Sequence, residues 1–282
     1  MSTLADLAEL VRAPAALSVP GDVVAGAAAA RALGPRTAGL AGASVLLYWA
    51  GMAANDWADR RLDAVERPER PIPSGRVTPA AAVGLAAGLT AAGLGLAAAA
   101  GGRRATAVAL PLAATIWGYD LVAKNTAAGP AVMAACRGLD VLLGASGGRP
   151  ARAVPAALTV AAHTWTVTAL SRREVTGADA ALPRRTLAGT ALVALAAAAS
   201  RPAAVLPVAL AGAYVARYGG AQARVVADPS AGRVRAAVGA GITGLPALQG
   251  ALTARAGAGL LGLAVAAAAP LGRRLARKVS PT

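Results

Sequence analysis

A chain of 282 residues has room for one large domain or two small ones. Its side chains are 56% hydrophobic and only 15% charged, against roughly 25% charged in an ordinary soluble domain, which argues against a soluble globular enzyme. The net charge of +15 raises nucleic acid as a partner, but no Lys/Arg-rich run carries interleaved aromatics. The basic residues sit instead in short joins between apolar segments, the pattern of a topology signal and an anionic-lipid contact.

In chain order, apolar segments at 15–33, 38–58, 78–100, 104–122, 129–147, 153–171, 185–200, 202–218, 234–251 and 255–272 are candidate membrane helices, several near the roughly 17–20 residues a helix needs to cross a bilayer. Gly and Pro punctuate the joins, as in GPR, AGGRR and SGGRPAR. The segments are apolar all round, whereas helices of a soluble bundle need polar faces. The expectation is an all-α, polytopic transmembrane helical bundle of nine or ten helices around a central cavity, in a single domain over 1–282. The N-terminal stretch MSTLADLAELVRAP contains Asp6 and Glu9 and lacks the basic start of a cleaved signal peptide, so the first apolar segment is expected to remain as a membrane helix. With the N-terminus in the cytoplasm, the loops at 59–77, 123–128, 172–184 and 217–235 and both termini face inward and together carry most of the Lys and Arg, in keeping with the positive-inside rule. The basic cluster Arg273, Arg274, Arg277 and Lys278 favours an inward C-terminus and an even number of spans. Cys136 is the single cysteine, so no disulfide within the chain and no cysteine-rich metal site is possible.

The most charged stretch is NDWADRRLDAVERPERPIPSGR, Asn55 to Arg76. On a helix, Asp56, Asp59 and Asp63 fall along one face, where like charges repel unless cations neutralise them. Two readings follow from the spacing. One is a solvated helix end with surface ion pairs to Arg60, Arg61 and Arg67. The other is a hard divalent cation, since Mg2+ takes oxygen ligands and is held by one or two carboxylates together with substrate phosphates. The loop beyond the acids holds Arg67, Arg70 and Arg76 among Pro68, Pro71 and Pro73. Proline stiffens it, and arginines on a rigid loop suit bidentate phosphate capture.

This stretch resembles the first aspartate motif of the UbiA superfamily of intramembrane prenyltransferases, N-D-x-x-D-x-x-x-D followed by R-P-x-x-S-G. Downstream, YDLVAKNTAAGP, with Tyr119, Lys124, Thr126 and Pro130, is similar to a second family segment. CRGLDVLLG, with Arg137, Asp140 and Gly144, resembles a cavity-lining helix. The resemblance runs from about residue 12 to 180. It implies a helical bundle with a cavity open sideways to lipid and a Mg2+-dependent transfer from an isoprenyl diphosphate to an acceptor. By position, Asn55, Asp56, Asp59 and Asp63 would hold the first metal, while Arg70 and Lys124 would contact the diphosphate, with Tyr119 nearby.

The family's second aspartate motif is reduced here to TALSRREVTGAD. Either Glu174 and Asp179 hold a second metal, or Arg172 and Arg173 supply positive charge in its place. Arg137 and Asp140 lie three apart in an apolar span, either as a self-contained ion pair or as cavity groups near the acceptor or diphosphate. His163, alone among threonines, reads as a hydrogen-bonded core residue. Trp49, Trp57, Trp117 and Trp165 are either cavity walls, where aromatic faces stabilise a carbocation, or interfacial anchors. The expected function is Mg2+-dependent prenyl transfer on the cytoplasmic side of the cell membrane, among membrane lipid and without nucleic acid. Two alternatives stay open: a cyclase of the same fold acting on a prenyl diphosphate, and a non-catalytic lipid-binding or transport protein.

Overall fold

A computed structural model describes residues 3–13, 18–199 and 204–268. Among these residues every regular element is helical: α1 (Leu4–Leu10), α2 (Pro20–Ala29), α3 (Pro35–Glu66), α4 (Pro79–Leu121), α5 (Gly129–Ala145), α6 (Pro150–Ser171), α7 (Ala181–Ala198), α8 (Val205–Tyr214), α9 (Gly220–Ala227), α10 (Ala231–Arg255) and the short apolar α11 (Gly259–Ala268). α2 to α6 each open on a proline in the first turn, where its fixed φ suits the helix and its missing N–H has no helical partner to lose. Thr78 adds a side-chain cap to α4, accepting from the Ala81 N–H.

α4 is a hairpin. A straight helix of its 43 residues would reach roughly 64 Å, yet Trp117 Nε1 donates to Thr90 Oγ1 at 3.1 Å. The chain reverses at Gly102, whose φ of 62° is readily open to glycine. The two arms, 79–101 and 103–121, therefore match the separate spans expected at 78–100 and 104–122. Both pack on α3 through small residues: Gly39 meets Ala100, Gly93 meets Leu47, and Gly51 meets Ile116.

Each candidate span coincides with a helical segment, counting α4 twice and α8–α9 once. α8 runs through a π-helical turn, Val215–Gly219, into α9. This rod continues to Ala227, so the inward loop expected over 217–235 shrinks to 228–230. The first span is helical only over α2, and 14–17 lie outside the described residues. So do Arg201, Pro202 and the C-terminal basic cluster. α3, α4 and α6 are long and apolar enough to cross a membrane.

α2 lies against α5 with almost no side chain between them. A Cβ added at Gly26 would sit 1.8 Å from the Val141 carbonyl oxygen, and one at Gly144 would sit 2.0 Å from that of Val23. Such backbone approach through glycine is how helices associate in lipid. α5 and α6 form the next hairpin. α10 then closes the bundle against α2, α6 and α8, so that α2, α3, α5, α6 and α10 surround an internal cavity.

Candidate active site

The acids of α3 sit where the helix emerges from the bundle. On an ideal helix Asn55, Asp56, Asp59 and Asp63 fall within roughly 100° of arc, and the structure resolves this arc into two edges. Asn55 and Asp59 face the end of α4: Asn55 Nδ2 donates to Asp120 Oδ1 at 3.0 Å, and Lys124 Nζ lies 2.6 Å from Asp59 Oδ1. Asp56 and Asp63 face the arginine loop. One Arg70 nitrogen stands 2.7 Å from Asp63 and 3.4 Å from Asp56, and Arg12 Nη2 reaches the same Asp56 oxygen at 2.8 Å. Arg67 stands 3.6 Å from Asp63. The Asp56 and Asp63 side chains are 5% and 2% exposed, against 25% for Asp59, whereas Lys124 at 12% is less exposed than Arg12 or Arg70.

The loop that carries Arg70 is fixed by its own backbone. Ser74 Oγ donates to the Arg70 carbonyl at 2.7 Å, Gly75 takes φ +77°, and Ile72 and Val77 are buried with Ala53 and Ala54 of α3. Arg76 faces away from the acids of α3. It binds Asp6 at 2.8 Å and Glu9 at 2.7 Å and clasps α1 to the loop. Hydrogen bonds from Thr3, then Arg76, hold the Asp6 carboxyl at about 2. Beyond α1, Arg12 adopts the left-handed backbone conformation, φ 46°, rarely populated by residues with a side chain.

Lys124 occupies the tight turn Ala123–Asn125. Arg172 braces that turn from α6 by donating to the Thr126 and Lys124 carbonyls. The second acidic segment is arranged differently. Asp179 Oδ1 accepts the Ala181 and Leu182 N–H groups at 2.9 and 2.8 Å, which starts α7 and lowers its pKa. Arg173 is exposed, and its charge acts on Asp179. Glu174 accepts from Arg235 through its backbone carbonyl at 2.7 Å; partial burial raises its carboxyl, and the Arg235 charge opposes that. Among the described residues, neither acid is joined by a hydrogen bond or ion pair to those of α3.

Beside the acids, starting at Met52 one helical turn before Asp56 and at Tyr119 next to Asp120, lies a cavity of about 300 Å³ whose lining also includes Met133, Tyr48, Arg137, His163 and the exposed Ile242. Arg137 and Asp140 do not form the self-contained pair considered from their spacing. Arg137 Nε lies 2.7 Å from Asp22 Oδ2 on α2, and Asp140 accepts from Ser44 of α3. Gln249 Nε2 ties Asp22 to the Ser18 carbonyl, each at 2.7 Å. His163 Nδ1 lies 2.8 Å from the Tyr214 hydroxyl; it is the hydrogen-bonded histidine its sequence context implies. Of the tryptophans, Trp117 is bound to Thr90, Trp57 underlies Arg60 at 4.7 Å, and Trp165 is 40% exposed.

A profile of the UbiA prenyltransferase family matches residues 19–230. The chain belongs to that family. Digeranylgeranylglyceryl phosphate synthase of Methanothrix thermoacetophila is 56% identical over 41 residues, covering 14% of this chain and 15% of that protein's length. A solved structure reported for digeranylgeranylglyceryl phosphate synthase in membranes superposes with a TM-score of 0.69 at 16% identity, covering 89% of this chain and 97% of the other. A UbiA homolog from Aeropyrum pernix K1 gives 0.65 at 20% identity, over 88% and 96%. At these identities the two structures establish a shared fold.

Among the described residues of this UbiA protein, no three of His, Cys, Asp and Glu stand grouped around a metal position; Asp56, Asp59 and Asp63 each lean on a cation instead. The donor set nevertheless fits Mg2+. It is all oxygen, from Asn55, Asp56, Asp59 and Asp63, and a magnesium ion bridged to a diphosphate needs only one or two carboxylates. Two groups went unnoticed in the sequence. Asp120 stands inside the quoted YDLVAKN segment, four residues before Lys124. Arg12 reads there as one more inward positive charge, although its guanidinium binds Asp56.

Proposed function

We propose that this protein is a Mg2+-dependent intramembrane prenyltransferase that moves an isoprenyl group from its diphosphate to an acceptor, with the N-terminus and the reaction on the cytoplasmic side. The observation that carries the reading is the interleaving of acids and bases one helical turn from a mostly apolar cavity: Asp56, Asp59, Asp63 and Asp120 against Arg12, Arg70 and Lys124. Acids alone would bind a cation, and bases alone an anion. A metal-bridged diphosphate needs both.

Asn55, Asp56, Asp59 and Asp63 would hold the magnesium, which when bound supplies Lewis-acid neutralisation of the diphosphate. The chain's own cations do the rest. Arg70 and Lys124 leave their carboxylate partners for phosphate oxygens. There they meet the charge that develops as the allylic C–O bond breaks and its electron pair passes to the leaving diphosphate. Arg172 acts through the Lys124 turn, which it holds in place. The walls around Met52 and Met133 keep water from the prenyl cation, with the Tyr119 ring beside its path. The acceptor supplies the new bond to carbon and releases its proton.

Purified protein in nanodiscs, given a labelled prenyl diphosphate, Mg2+ and a panel of aromatic, sugar and lipid acceptors, tests the reading. Prenylated product is expected, with Asp56→Asn and Lys124→Met each lowering its rate at least about 100-fold. A cyclic hydrocarbon formed from the donor alone would replace transfer by cyclisation. Undiminished function in Asp56→Ala and Asp59→Ala cells would point to a non-catalytic role.

A further inference from the structure

The end of the bundle away from the α3 acids carries charge of one sign. α3 opens at Pro35 and its acids begin at Asp56, a separation of roughly 30 Å along a helix. Three joins occupy the opening end: 30–34 between α2 and α3, the turn at Gly102 within α4, and 146–149 between α5 and α6. Each has two arginines in or beside it, Arg31 and Arg36, Arg103 and Arg104, Arg149 and Arg152, while no Asp or Glu occurs in 23–55, 70–119 or 141–173. Close packing brings the three joins together. The Arg149 N–H donates to the Ala30 carbonyl at 3.1 Å. A Cβ on Gly39 would lie 2.7 Å from that of Ala100, and one on Gly101 would lie 3.5 Å from the Ser146 hydroxyl.

All six arginines are exposed. Among the described residues, none of their guanidiniums is held by an ion pair or a hydrogen bond, whereas Arg12, Arg70, Arg76 and Lys124 at the other end each hold a carboxylate. Six like charges on one surface repel one another and gain from an anion brought from outside. Two features select that anion. Exposed apolar side chains begin next to the charges: Leu33 beside Arg31, Leu110 after Arg104, Val154 and Leu158 after Arg152. A phosphate headgroup with acyl chains matches this order of charge and hydrocarbon, and a soluble anion matches the charge alone. Arginine also presents a planar fork that takes phosphate oxygens in pairs. The positive-inside rule does not account for the patch, since on the orientation proposed above it favours arginines at the acid end.

We propose that this arginine patch is a binding site for anionic phospholipid of the leaflet that faces it, with headgroup phosphates paired to the guanidiniums and acyl chains running along the exposed apolar flanks of α4 and α6. The site is separate from the acids of α3 and does not depend on the reaction proposed for them. Bound phosphate relieves the repulsion among the three joins, so the lipid stabilises the folded chain by mass action.

The experiment titrates the full chain, purified in a neutral detergent, with dioleoyl phosphatidylglycerol, dioleoyl phosphatidylcholine or inorganic phosphate. Native mass spectrometry reads lipid retention, and thermal unfolding is followed alongside. Phosphatidylglycerol is expected to be retained at least about tenfold more tightly than phosphatidylcholine and to raise the melting temperature, with no rise from inorganic phosphate at the same concentration. Arg→Gln at 31, 36, 103, 104, 149 and 152 together is expected to remove most of that preference. The same change in each join's pair alone is expected to reduce it, which decides the matter if the sixfold variant does not fold. Arg61→Gln, Arg184→Gln, Arg185→Gln and Arg224→Gln together, at the acid end, are expected to leave most of it. Equal retention of the two lipids overturns the proposal. So does a preference unchanged in the six-arginine and pair variants, or one lost to the same extent in the acid-end variant. An equal rise in melting temperature with inorganic phosphate makes the occupant a soluble anion and overturns the lipid assignment.

Discussion

Arg70 serves two carboxylates with a single guanidinium nitrogen. Its loss would leave Asp63, 2% exposed, with only the looser Arg67, and Asp56 with only Arg12. Removing one partner of a fully buried pair costs about 3–5 kcal/mol; with Arg12 and Arg67 still in place, Arg70→Gln is expected to lower stability by roughly 1–3 kcal/mol. Adding Asp63→Asn should recover part of that loss, and denaturant unfolding in mixed micelles would measure both. A double variant no more stable than Arg70→Gln alone would mean that Arg70 acts elsewhere. These residues are legible in the sequence because their spacing lies within one helix and the loop that follows it. Arg12, Asp120 and Asp22 are not. Their partners, Asp56, Asn55 and Arg137, come from other helices far along the chain, and no local periodicity encodes that pairing. Arg137 illustrates the difference, since its near neighbour Asp140 offers itself by spacing while Asp22 takes the contact.

At the scale of the helices, glycine divides into two kinds. Gly26 and Gly144 bring the backbones of α2 and α5 together, and a methyl group at either position would overlap a carbonyl of the other helix. Gly26→Ala or Gly144→Ala is therefore expected to cost about 1–3 kcal/mol or more and to pull Asp22 from Arg137, lowering activity as well. Gly88 in α4 has nothing within 4 Å of an added Cβ, so Gly88→Ala should be neutral or stabilising by up to about 1 kcal/mol. Thermal unfolding of the three variants side by side checks the contrast, and equal effects would remove the distinction. The spans themselves were readable because apolar length reports directly on the bilayer, and the Gly101–Gly102 join correctly separates the arms of α4. Which small residues face a neighbouring backbone could not be read, because in an alanine- and glycine-rich chain every face of a helix is small.

Across the whole molecule, the acids and bases at the mouth neutralise one another before any substrate arrives. Asp56, Asp59 and Asp63 each have a cationic partner within the chain. A site made only of carboxylates would depend on its metal to relieve their repulsion, and stripping that metal would loosen the fold. Here the counter-ions are covalently attached. Extraction with a chelator should therefore leave the melting temperature within about 2 °C of the magnesium-supplemented protein, while turnover falls to background and returns when magnesium is restored. A large drop in melting temperature on chelation would contradict this. The polypeptide can thus complete its packing without an ion in hand, and on the function proposed above loading would be an exchange of partners, in which magnesium and diphosphate would arrive and the resident arginines and lysine would change what they hold.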